Sequence, residues 1–299
     1  MSDPVVSVVI PTRNRVGLLR GAVASVLQQS ERNFELIVVD DASTDETHVY
    51  LAALAESDAR VRVVRHAAPK GGPEARNTGI ANASASWVAF LDDDDEWLPT
   101  KLGRQLELLA AERLAVACSC DYLYLPDFGR SRVVRVPRQV TLQQLLFDNP
   151  LGSVSLCIGS ARALREIDGF DPLLRSGQDQ DIWLRLFEKG TILVCAEPLV
   201  RYRSHNGPRI SNDFQSQHVG ARRFYFKHRA AMDMSVRRRR IAYSCFLMSR
   251  LSTLTVWRRA RYLAIAARNA TANEALRYLR SSVPRLVLDT LRGHGAHRT

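Results

Sequence analysis

Apolar and polar positions switch between two periods along the first 112 residues of the chain, and the switch occurs four times. Short β-branched or alternating runs predict strands at residues 5–10, 34–39, 60–65 and 86–91. Helical spacing follows these runs, at residues 16–29, 43–57, 74–83 and 99–112. Strands and helices that alternate in this way predict an α/β fold with a mostly parallel central sheet flanked by helices.

Polar loop sequences follow all four predicted strands. They read PTRNR at 11–15, DDASTD at 40–45, PKGG at 69–72 and DDDDEW at 92–97. In open sheets of this kind, ligands bind outside the carboxyl ends of the strands. Because all four clusters fall at those ends, we expect one binding site along this edge of the sheet.

The aspartate tetrad 92–95 is the most unusual of these loops, because four adjacent carboxylates repel one another. Hard divalent cations such as Mg2+ or Mn2+ prefer oxygen ligands, so the tetrad predicts a cation site. Side chains alternate along an extended chain, and Asp92 and Asp94 should therefore face one way while Asp93 faces the other. The simpler alternative is a solvated acidic loop that favours the N-terminus of the following helix.

Several other designs for a phosphate or metal site are disfavoured. No G-x-G-x-x-G follows the first strand, and no G-x-x-x-x-G-K-[ST] occurs. The tetrad fits an EF-hand loop poorly, since Trp97 stands where that loop needs glycine and Gly103 where it needs glutamate. A phosphoaspartate hydrolase would carry its D-x-D after the first strand, where this chain has PTRNR. A nucleotide-diphosphate site of a different design remains.

Six stretches at familiar spacing carry a resemblance to a known family: VSVVIPTRNR, FELIVVDDASTDET, PEARNTGI, WVAFLDDDDEWLPTKL, DGFDPLLRSGQDQDIWLRL and YRSHN. Over about residues 5–212 the chain resembles the family 2 glycosyltransferases of the GT-A type. The resemblance implies the GT-A fold, a nucleotide-sugar donor, a divalent cation (Mg2+ or Mn2+) and transfer with inversion at the anomeric carbon.

The resemblance also implies roles on the donor side. The nucleotide-binding positions are Pro11, Thr12, Arg13, Asp40, Asp41, Arg76, Asp92 and Asp93. Asp94 matches the principal metal ligand, and His205 matches a position that often completes the metal shell. Asp40 has a structural alternative as a cap for the helix after Ser43. Asn77 has a structural role in its turn as an equal alternative to facing the nucleotide.

Glycosyl transfer also needs a general base, because an acceptor hydroxyl must lose its proton as it attacks. Asp179 matches the position of this base, and we expect a helix N-terminus to keep it ionised. Gln178 stands where the family usually has glutamate, which removes one charge beside the base. Asp181 is expected to form an ordinary helix-surface ion pair with Arg185, four residues on.

Four further residues are weaker candidates for the diphosphate or acceptor side. Alternation over residues 200–206 predicts a strand that places Arg201, Arg203 and His205 on one face, where Arg203 would stabilise the leaving diphosphate. Trp183 and Trp97 are candidates for the acceptor cleft, but a core role is favoured for each. Gln178 is included here through its effect on acceptor choice or efficiency.

Charge is distributed unevenly along the 299 residues. Residues 216–299 contain 18 Lys and Arg but 3 Asp and Glu, whereas residues 1–215 have a net charge of −4. This shift predicts a catalytic domain at 1–215 and a basic helical extension, of two to four helices, at 216–299. The extension is expected to pack on the catalytic domain or another subunit, or to contact an anionic membrane surface peripherally. Nucleic-acid binding is disfavoured, because no reader motif accompanies the charge.

The remaining composition indicates a reduced, cytoplasmic protein. The longest uncharged stretch, residues 77–91, is 15 residues long and too short for a membrane span. The first ten residues lack the features of a signal peptide. Five scattered cysteines without a CxxC predict buried thiols rather than disulfides or zinc. We therefore expect a cytoplasmic location, including the inner face of the membrane.

Together these patterns predict a metal-dependent, inverting glycosyltransferase of cell-surface polysaccharide or glycoconjugate synthesis. The expected partners are a nucleotide-sugar donor, with a UDP-sugar first, and a glycan or lipid-linked acceptor. Two rivals stay open. A catalytically silent member of the same fold would bind nucleotide or glycan without transfer, and Gln178 is the feature that favours it. A nucleotidyltransferase would release pyrophosphate, but the Asp179 segment and YRSHN favour sugar transfer.

Overall fold

The chain divides into two compact units. The computed structural model describes residues 3–174, 176–204 and 213–282. The first unit comprises residues 1–173 and 178–207, and the second comprises 174–177 and 208–299. A helix begins at Phe214, one residue before the predicted domain boundary at 215, and that boundary stays a prediction.

The first unit contains one mixed sheet. Its strands are β1 (Val6–Thr12), β2 (Phe34–Asp40), β3 (Val61–Arg65), β4 (Trp87–Phe90), β5 (Glu96–Trp97), β6 (Ala115–Leu125), β7 (Arg132–Val134), β8 (Ile158–Ser160) and β9 (Thr191–Arg203). Its helices are α1 (Val16–Leu27), α2 (Thr47–Ser57), α3 (Gly72–Asn82), α4 (Lys101–Ala111), α5 (Leu142–Phe147), α6 (Ala161–Glu166) and α7 (Gln178–Phe187). The strand order is β3-β2-β1-β4-β8-β6-β9-β5, with β7 paired to β6.

The four strands that the sequence predicted form the parallel half of this sheet. β1 pairs with β2 and β4, and β2 pairs with β3, all in parallel. Both faces of β1 and β2 are covered, since five consecutive residues of each strand are buried. Burial on both faces explains the continuous β-branched runs in the sequence.

The other half of the sheet is mostly antiparallel. β8 lies antiparallel between β4 and β6, β7 pairs antiparallel with β6, and β5 pairs antiparallel with β9. The long pair β6–β9 is parallel. The α/β class is thus confirmed, but the regular alternation of strands and helices stops after residue 112, and it gave no signal for these antiparallel pairs.

Cysteines and tryptophans contribute to the interior of the first unit, as expected. Its four cysteines are buried free thiols: Cys118, Cys120, Cys157 and Cys195. Burial raises the pKa of the Cys118 thiol to about 11 and that of Cys120 to about 12, which keeps both protonated and unreactive. Lys101 is fully buried beside them, and its Nζ donates to Gln105 Oε1 at 2.6 Å.

The described part of the second unit is helical. It contains α8 (Phe214–His228), α9 (Met234–Ser249), α10 (Val256–Asn269) and helical residues 272–282. The side chains of Asp213, Asp233 and Thr255 cap the N-termini of α8, α9 and α10. This helix number agrees with the sequence-based expectation of two to four. No helix among the described residues is both long enough and apolar enough to cross a membrane.

A small apolar core holds the helices of this unit together. Ala242 of α9, Leu263 and Ala266 of α10 and Tyr278 are buried against one another. The rings of Phe246 and Tyr278 stack with their centroids 4.4 Å apart. The helices therefore present their remaining faces, which carry most of the basic side chains, outward.

Candidate active site at the carboxyl ends of the strands

The four polar loops meet at one edge of the parallel half-sheet. Thr12 and Asp40 end β1 and β2 in register with each other. The Oγ1 of Thr12 donates to Asp93 Oδ2 across 2.8 Å, which joins the first loop to the tetrad. The backbone N–H of Lys70 donates to Asp41 Oδ1 at 2.8 Å, which joins the second loop to the third. The edge that the sequence analysis singled out is therefore one continuous surface.

Asp41 is committed to holding the third loop in place. Its Oδ1 is 2.7 Å from Nδ1 of His66, and its Oδ2 accepts from the backbone N–H of Gly71 at 2.8 Å. Burial raises the pKa of Asp41, but these hydrogen bonds outweigh it and hold the pKa below its ordinary value. The ionised Asp41 carboxylate thus holds the third loop against the second.

Asp40 is also bonded within the protein. Its Oδ1 accepts from the backbone N–H of Ser43 at 2.8 Å, and its Oδ2 lies 3.4 Å from Nε of Arg65. The first contact makes Asp40 an organiser of the loop, which resembles the predicted cap, although α2 itself begins later at Thr47. The structure therefore favours a positioning role for both carboxylates of this loop.

The four aspartates of the tetrad divide into a buried Asp93, which bonds the first loop, and a cluster of the other three. Asp93 is 5% exposed and bonds Thr12, and its Oδ1 accepts from Arg15 at 3.0 Å. Burial raises the pKa of Asp93 to about 6 against the lowering effect of Arg15. Side-chain alternation predicted the separation of Asp93 from Asp92 and Asp94, but it would also have placed Asp95 with Asp93. Through these contacts, Asp93 connects the first loop to the fourth.

Asp92, Asp94 and Asp95 bring one carboxylate oxygen each to within 4.8 Å of one another. Asp95 is 1% exposed, and among the described residues its Oδ2 has no hydrogen-bond partner. Burial, followed by the charges of Asp92 and Asp94, raises the pKa of Asp95 well above its ordinary value. Three crowded carboxylates with an unsatisfied buried oxygen have the donor set and charge that suit a hard divalent cation.

Arg76 connects this cluster to the candidate base. Its guanidinium is buried, and it donates to Asp92 Oδ1 and, at 2.8 Å, to Gln178 Oε1. Asp179, next along α7, is close enough to Arg76 and Asp92 for both to shift its ionisation. The buried guanidinium of Arg76 thus contacts both the carboxylate cluster and the first turn of α7.

Asp179 lies in the first turn of α7, as predicted. Burial and the nearby charge of Asp92 raise the pKa of Asp179 to about 7, although Arg76 and a hydrogen bond from the backbone of Val154 lower it. Burial is the largest of these influences. A carboxylate with this pKa is suited to accept a proton near neutral pH.

A short 3-10 turn, Val154–Leu156, joins the carboxylate cluster to Asp179, and the sequence analysis did not find it. Asp92 donates its backbone N–H to Ser155 Oγ at 3.1 Å, and the Ser155 hydroxyl also hydrogen-bonds the Asp95 carboxyl. Val154 bonds Asp179 through its backbone. A buried tryptophan holds the turn in place, since the Trp97 indole N–H donates to Ser155 O at 2.9 Å.

Removing the Ser155 hydroxyl should weaken the cluster without unfolding the protein. We expect Ser155→Ala to raise the Kd for Mn2+ about tenfold, because outer partners orient metal-binding carboxylates. Ser119→Ala is the matched control, since Ser119 is equally buried but donates to Leu151 O instead of a carboxylate. Calorimetric Mn2+ titration of both variants checks this, and equal Mn2+ affinity in the two would contradict it.

Three other predicted site residues lie among the described residues of the first unit. Arg13 is exposed, whereas Arg15, two residues on, pairs with Asp93 and Asp94. Arg203 forms an ion pair with Glu96 at 2.8 Å. Pro11, at the end of β1, is half-buried. His205 lies outside the described residues.

Both tryptophans considered for the acceptor cleft are core residues. Trp183 is fully buried and donates its indole N–H to Gly152 O at 2.9 Å, and Trp97 is 2% exposed. Asp181 does pair with Arg185 as predicted, but this pair is not on the surface, because the Asp181 side chain is 0% exposed. Trp183 and Asp181 lie on the buried side of α7, and Trp97 is buried in β5.

Asn77 has the structural role that the sequence analysis gave as an equal alternative. Its Nδ2 donates to Phe170 O at 2.8 Å, and its Oδ1 accepts from Phe170 N at 2.7 Å. The preceding Gly169 has a φ of +60°, and an added Cβ there would collide with Asn77 Oδ1. Asn77 therefore clamps the loop before α7 rather than facing a nucleotide.

Comparison with known proteins places this geometry in a family. The family model described as Glycosyl transferase family 2 matches residues 7–168. The chain belongs to glycosyltransferase family 2. It is 33% identical over 231 residues to a putative teichuronic acid biosynthesis glycosyltransferase, TuaG, of Bacillus subtilis, covering 76% of this chain and 88% of the relative. The chain is therefore a glycosyltransferase, as the motifs predicted.

Two further similarities bear on the fold and on the class of relatives. The chain is 28% identical over 217 residues to the Escherichia coli enzyme named UDP-Glc:alpha-D-GlcNAc-diphosphoundecaprenol beta-1,3-glucosyltransferase WfgD, covering 72% of this chain and 83% of the relative. The crystal structure of S. aureus TarS residues 1–349 with UDP-GlcNAc matches with a TM-score of 0.60 and 17% identity, covering 88% of each chain. The predicted GT-A fold is confirmed by this match.

Proposed function

We propose that this family 2 member transfers a sugar, with inversion, from a UDP-sugar to a hydroxyl of a lipid-linked glycan in cell-surface polysaccharide synthesis. The observation that carries the proposal is the buried link from three clustered carboxylates through Arg76 to Asp179. The donor class is supported by the UDP-Glc in the WfgD name and by the UDP-GlcNAc in the similar TarS structure. The acceptor class is supported by the diphosphoundecaprenol carrier in the WfgD name.

The carboxylate cluster fits a divalent cation, either Mg2+ or Mn2+. Asp94 is the proposed principal ligand, with Asp92 and Asp95 beside it. The unpartnered Oδ2 of Asp95 is the feature that favours an ion over a closed network of internal hydrogen bonds. When bound, such a cation neutralises the charge that develops on a departing nucleoside diphosphate. His205 stays a proposed additional ligand.

Asp179 is the proposed general base. The acceptor oxygen forms the new bond to the anomeric carbon, the bond from that carbon to the nucleoside diphosphate breaks, and the hydroxyl proton passes to Asp179. One displacement of this kind inverts the anomeric carbon. Arg76 supports the step by keeping Asp179 next to a positive charge while its Nη atoms hold Asp92 and Gln178.

The donor nucleotide is proposed to bind along the first two loops. Thr12, Asp40, Asp41 and Asp93 shape these loops through the hydrogen bonds described above, and Pro11 lies at the same strand end. The exposed Arg13 is the basic side chain in these loops that is available to a ligand in solvent. The tight turns are held with positive φ angles at Asn14 and Ala42, 52° and 58° respectively.

The pKa of Asp179 sets an expected pH dependence. The base must be deprotonated, so kcat/KM should fall about tenfold per pH unit below a midpoint within a unit of 7, and level off above it. Rates from pH 5.5 to 9 with saturating Mn2+ measure this. Residual turnover of Asp179→Asn should be flat over the same range, whereas a wild-type rate that rises as the pH falls would exclude Asp179 as the base.

The proposed reaction is tested with the full chain and a synthetic diphosphopolyprenol-linked N-acetylglucosamine. We expect one UDP-sugar to yield an extended lipid-linked product, and the NMR coupling constant of its new anomeric proton to show inversion. Donor binding without product on any lipid-linked or free glycan would instead favour the silent binder. Release of pyrophosphate in place of a nucleoside diphosphate would favour a nucleotidyltransferase.

A further inference from the structure

One face of α10 carries an exposed aromatic side chain in line with arginines. Trp257, Arg261, Ala264 and Arg268 are spaced four, three and four residues apart, which places them on one stripe of the helix. All four are exposed, and Trp257 is 84% exposed. Arg258 is exposed beside this stripe. An exposed indole is a large apolar surface that stable packing normally covers.

The opposite face of α10 is anchored, so the direction of the stripe is determined by packing. Leu263 and Ala266 are buried in the core of the second unit. Arg259 is 5% exposed, and its Nε donates to Ser249 O at 3.0 Å. The stripe therefore cannot turn inward without breaking this core. Its outward direction is a property of the folded unit.

The charge of the stripe has no counterpart within its own helix. α10 contains no Asp or Glu, and among the described residues none of Arg258, Arg261 and Arg268 makes an ion pair. By contrast, Arg239 of α9 pairs with Glu274 at 2.8 Å. The surface thus combines a solvent-facing indole with positive charge that forms no ion pair with any acidic residue the structure describes.

We propose that this stripe docks the protein on an anionic membrane surface. Indole rings prefer the boundary between headgroups and acyl chains, and arginines beside them contact lipid phosphates. Ala260 and Ala264 add small apolar surface on the same side and do not obstruct the approach. The inference deepens the proposed function and rests on it for the lipid-linked acceptor, but the docking itself can be tested without any transfer reaction.

The charge pattern favours a membrane over a second copy of the chain. A symmetric contact through this face would bring the arginine stripes of two molecules against each other, and like charges in contact oppose association. A nucleic acid would satisfy the arginines, but one indole among alanines offers it no series of stacking rings. An anionic bilayer satisfies both the indole and the arginines.

Vesicle binding by the full-length protein tests the proposal. Sedimentation with vesicles of phosphatidylcholine and phosphatidylglycerol at 70:30 is compared with pure phosphatidylcholine. We expect binding to the anionic vesicles, weakened about fivefold for each arginine removed and about 100-fold in Arg258→Gln/Arg261→Gln/Arg268→Gln. Trp257→Ala should weaken it about tenfold.

A matched triple variant separates this surface from total charge. Arg113, Arg130 and Arg135 are exposed arginines of the first unit, so changing them to glutamine alters the net charge equally. This control should bind anionic vesicles within about twofold of wild type. Equal weakening of the two triple variants, or no binding of wild type to anionic vesicles, would overturn the proposal.

Quenching by brominated lipids locates the contact. Of the other three tryptophans, Trp97 and Trp183 are 2% and 0% exposed and Trp87 is half-buried, so a bilayer should quench the Trp257 indole in preference to them. We expect quenching in wild type and its loss in Trp257→Phe. Persistent quenching in Trp257→Phe would mean that another part of the protein contacts the bilayer. A dimer in light scattering that is lost in Trp257→Ala would mean that the stripe is a contact between two copies of the chain. Transfer to detergent-dispersed acceptor tests the enzyme separately, since weak docking with full transfer leaves the proposed function standing.

Discussion

Asp179→Asn is expected to lower kcat by about 10³-fold while the Kd for the UDP-sugar stays within about threefold of wild type. The change keeps the size of the side chain and removes its ability to accept a proton. Donor binding should survive, because the proposed donor contacts lie on the first two loops and at the carboxylate cluster. Steady-state kinetics and calorimetry with the same donor measure the two effects separately.

Asp181→Asn provides the comparison for this variant. Asp181 lies two residues along the same helix and forms a buried ion pair with Arg185. Loss of that pair should lower the free energy of unfolding by about 3 kcal/mol or more without a specific effect on kcat in the folded fraction. Full turnover in Asp179→Asn would show that Asp179 is not the general base.

Asp94→Ala is expected to raise the Kd for Mn2+ by about 100-fold or more and to abolish transfer at ordinary cation concentrations. Asp94 belongs to the cluster of three carboxylates, and alanine leaves two. Metal titration without donor, followed by transfer assays across a range of Mn2+, measures both effects. Recovery of transfer at high Mn2+ would show that the lesion is in metal affinity.

Asp93→Asn serves as the control for the loss of one negative charge. Its carboxylate faces Thr12 and Arg15 rather than the cluster, so Mn2+ affinity should change far less than in Asp94→Ala. Similar Mn2+ affinities for both variants would mean that net charge, not ligation by Asp94, governs cation binding. Unchanged affinity in Asp94→Ala would place the metal outside this cluster.

The parallel half of the fold was predictable because each of its elements has a local signature. β1 and β2 are buried on both faces, so their sequences are nearly continuous apolar runs. The antiparallel half has no such signature. β8 has three residues, and β5 has two, so their pairings depend on contacts across the chain rather than on a pattern within them.

The division of the aspartate tetrad was predictable only in part. Alternation of side chains separates Asp93 from Asp92 and Asp94, but it would also separate Asp95, which joins the cluster. The sequence analysis named Arg13 but not Arg15, which is the arginine that contacts Asp93. Both arginines lie in one loop, and the positive φ of Asn14 between them changes the direction of the chain. No spacing rule anticipates such a turn when the residue is not glycine.

Long-range effects account for the remaining differences. Ser155 lies about 60 residues beyond the tetrad, in a stretch without a recognisable motif, and only folding brings its hydroxyl to Asp92 and Asp95. The raised pKa of Asp179 could not be predicted, because the helix terminus is visible in the sequence whereas burial and the Asp92 charge are not. Gln178 keeps its oxygen on Arg76, so this departure from the family leaves the arginine held in place.

The most direct test of metal-dependent sugar transfer is a panel of nucleotide sugars with the purified chain, Mn2+ and a glycan or lipid-linked acceptor. Released nucleoside diphosphate is measured with and without EDTA. We expect release from one donor, a UDP-sugar, that EDTA abolishes and added Mn2+ restores. Equal release with EDTA present would contradict the role of the carboxylate cluster, and release of pyrophosphate would contradict sugar transfer itself.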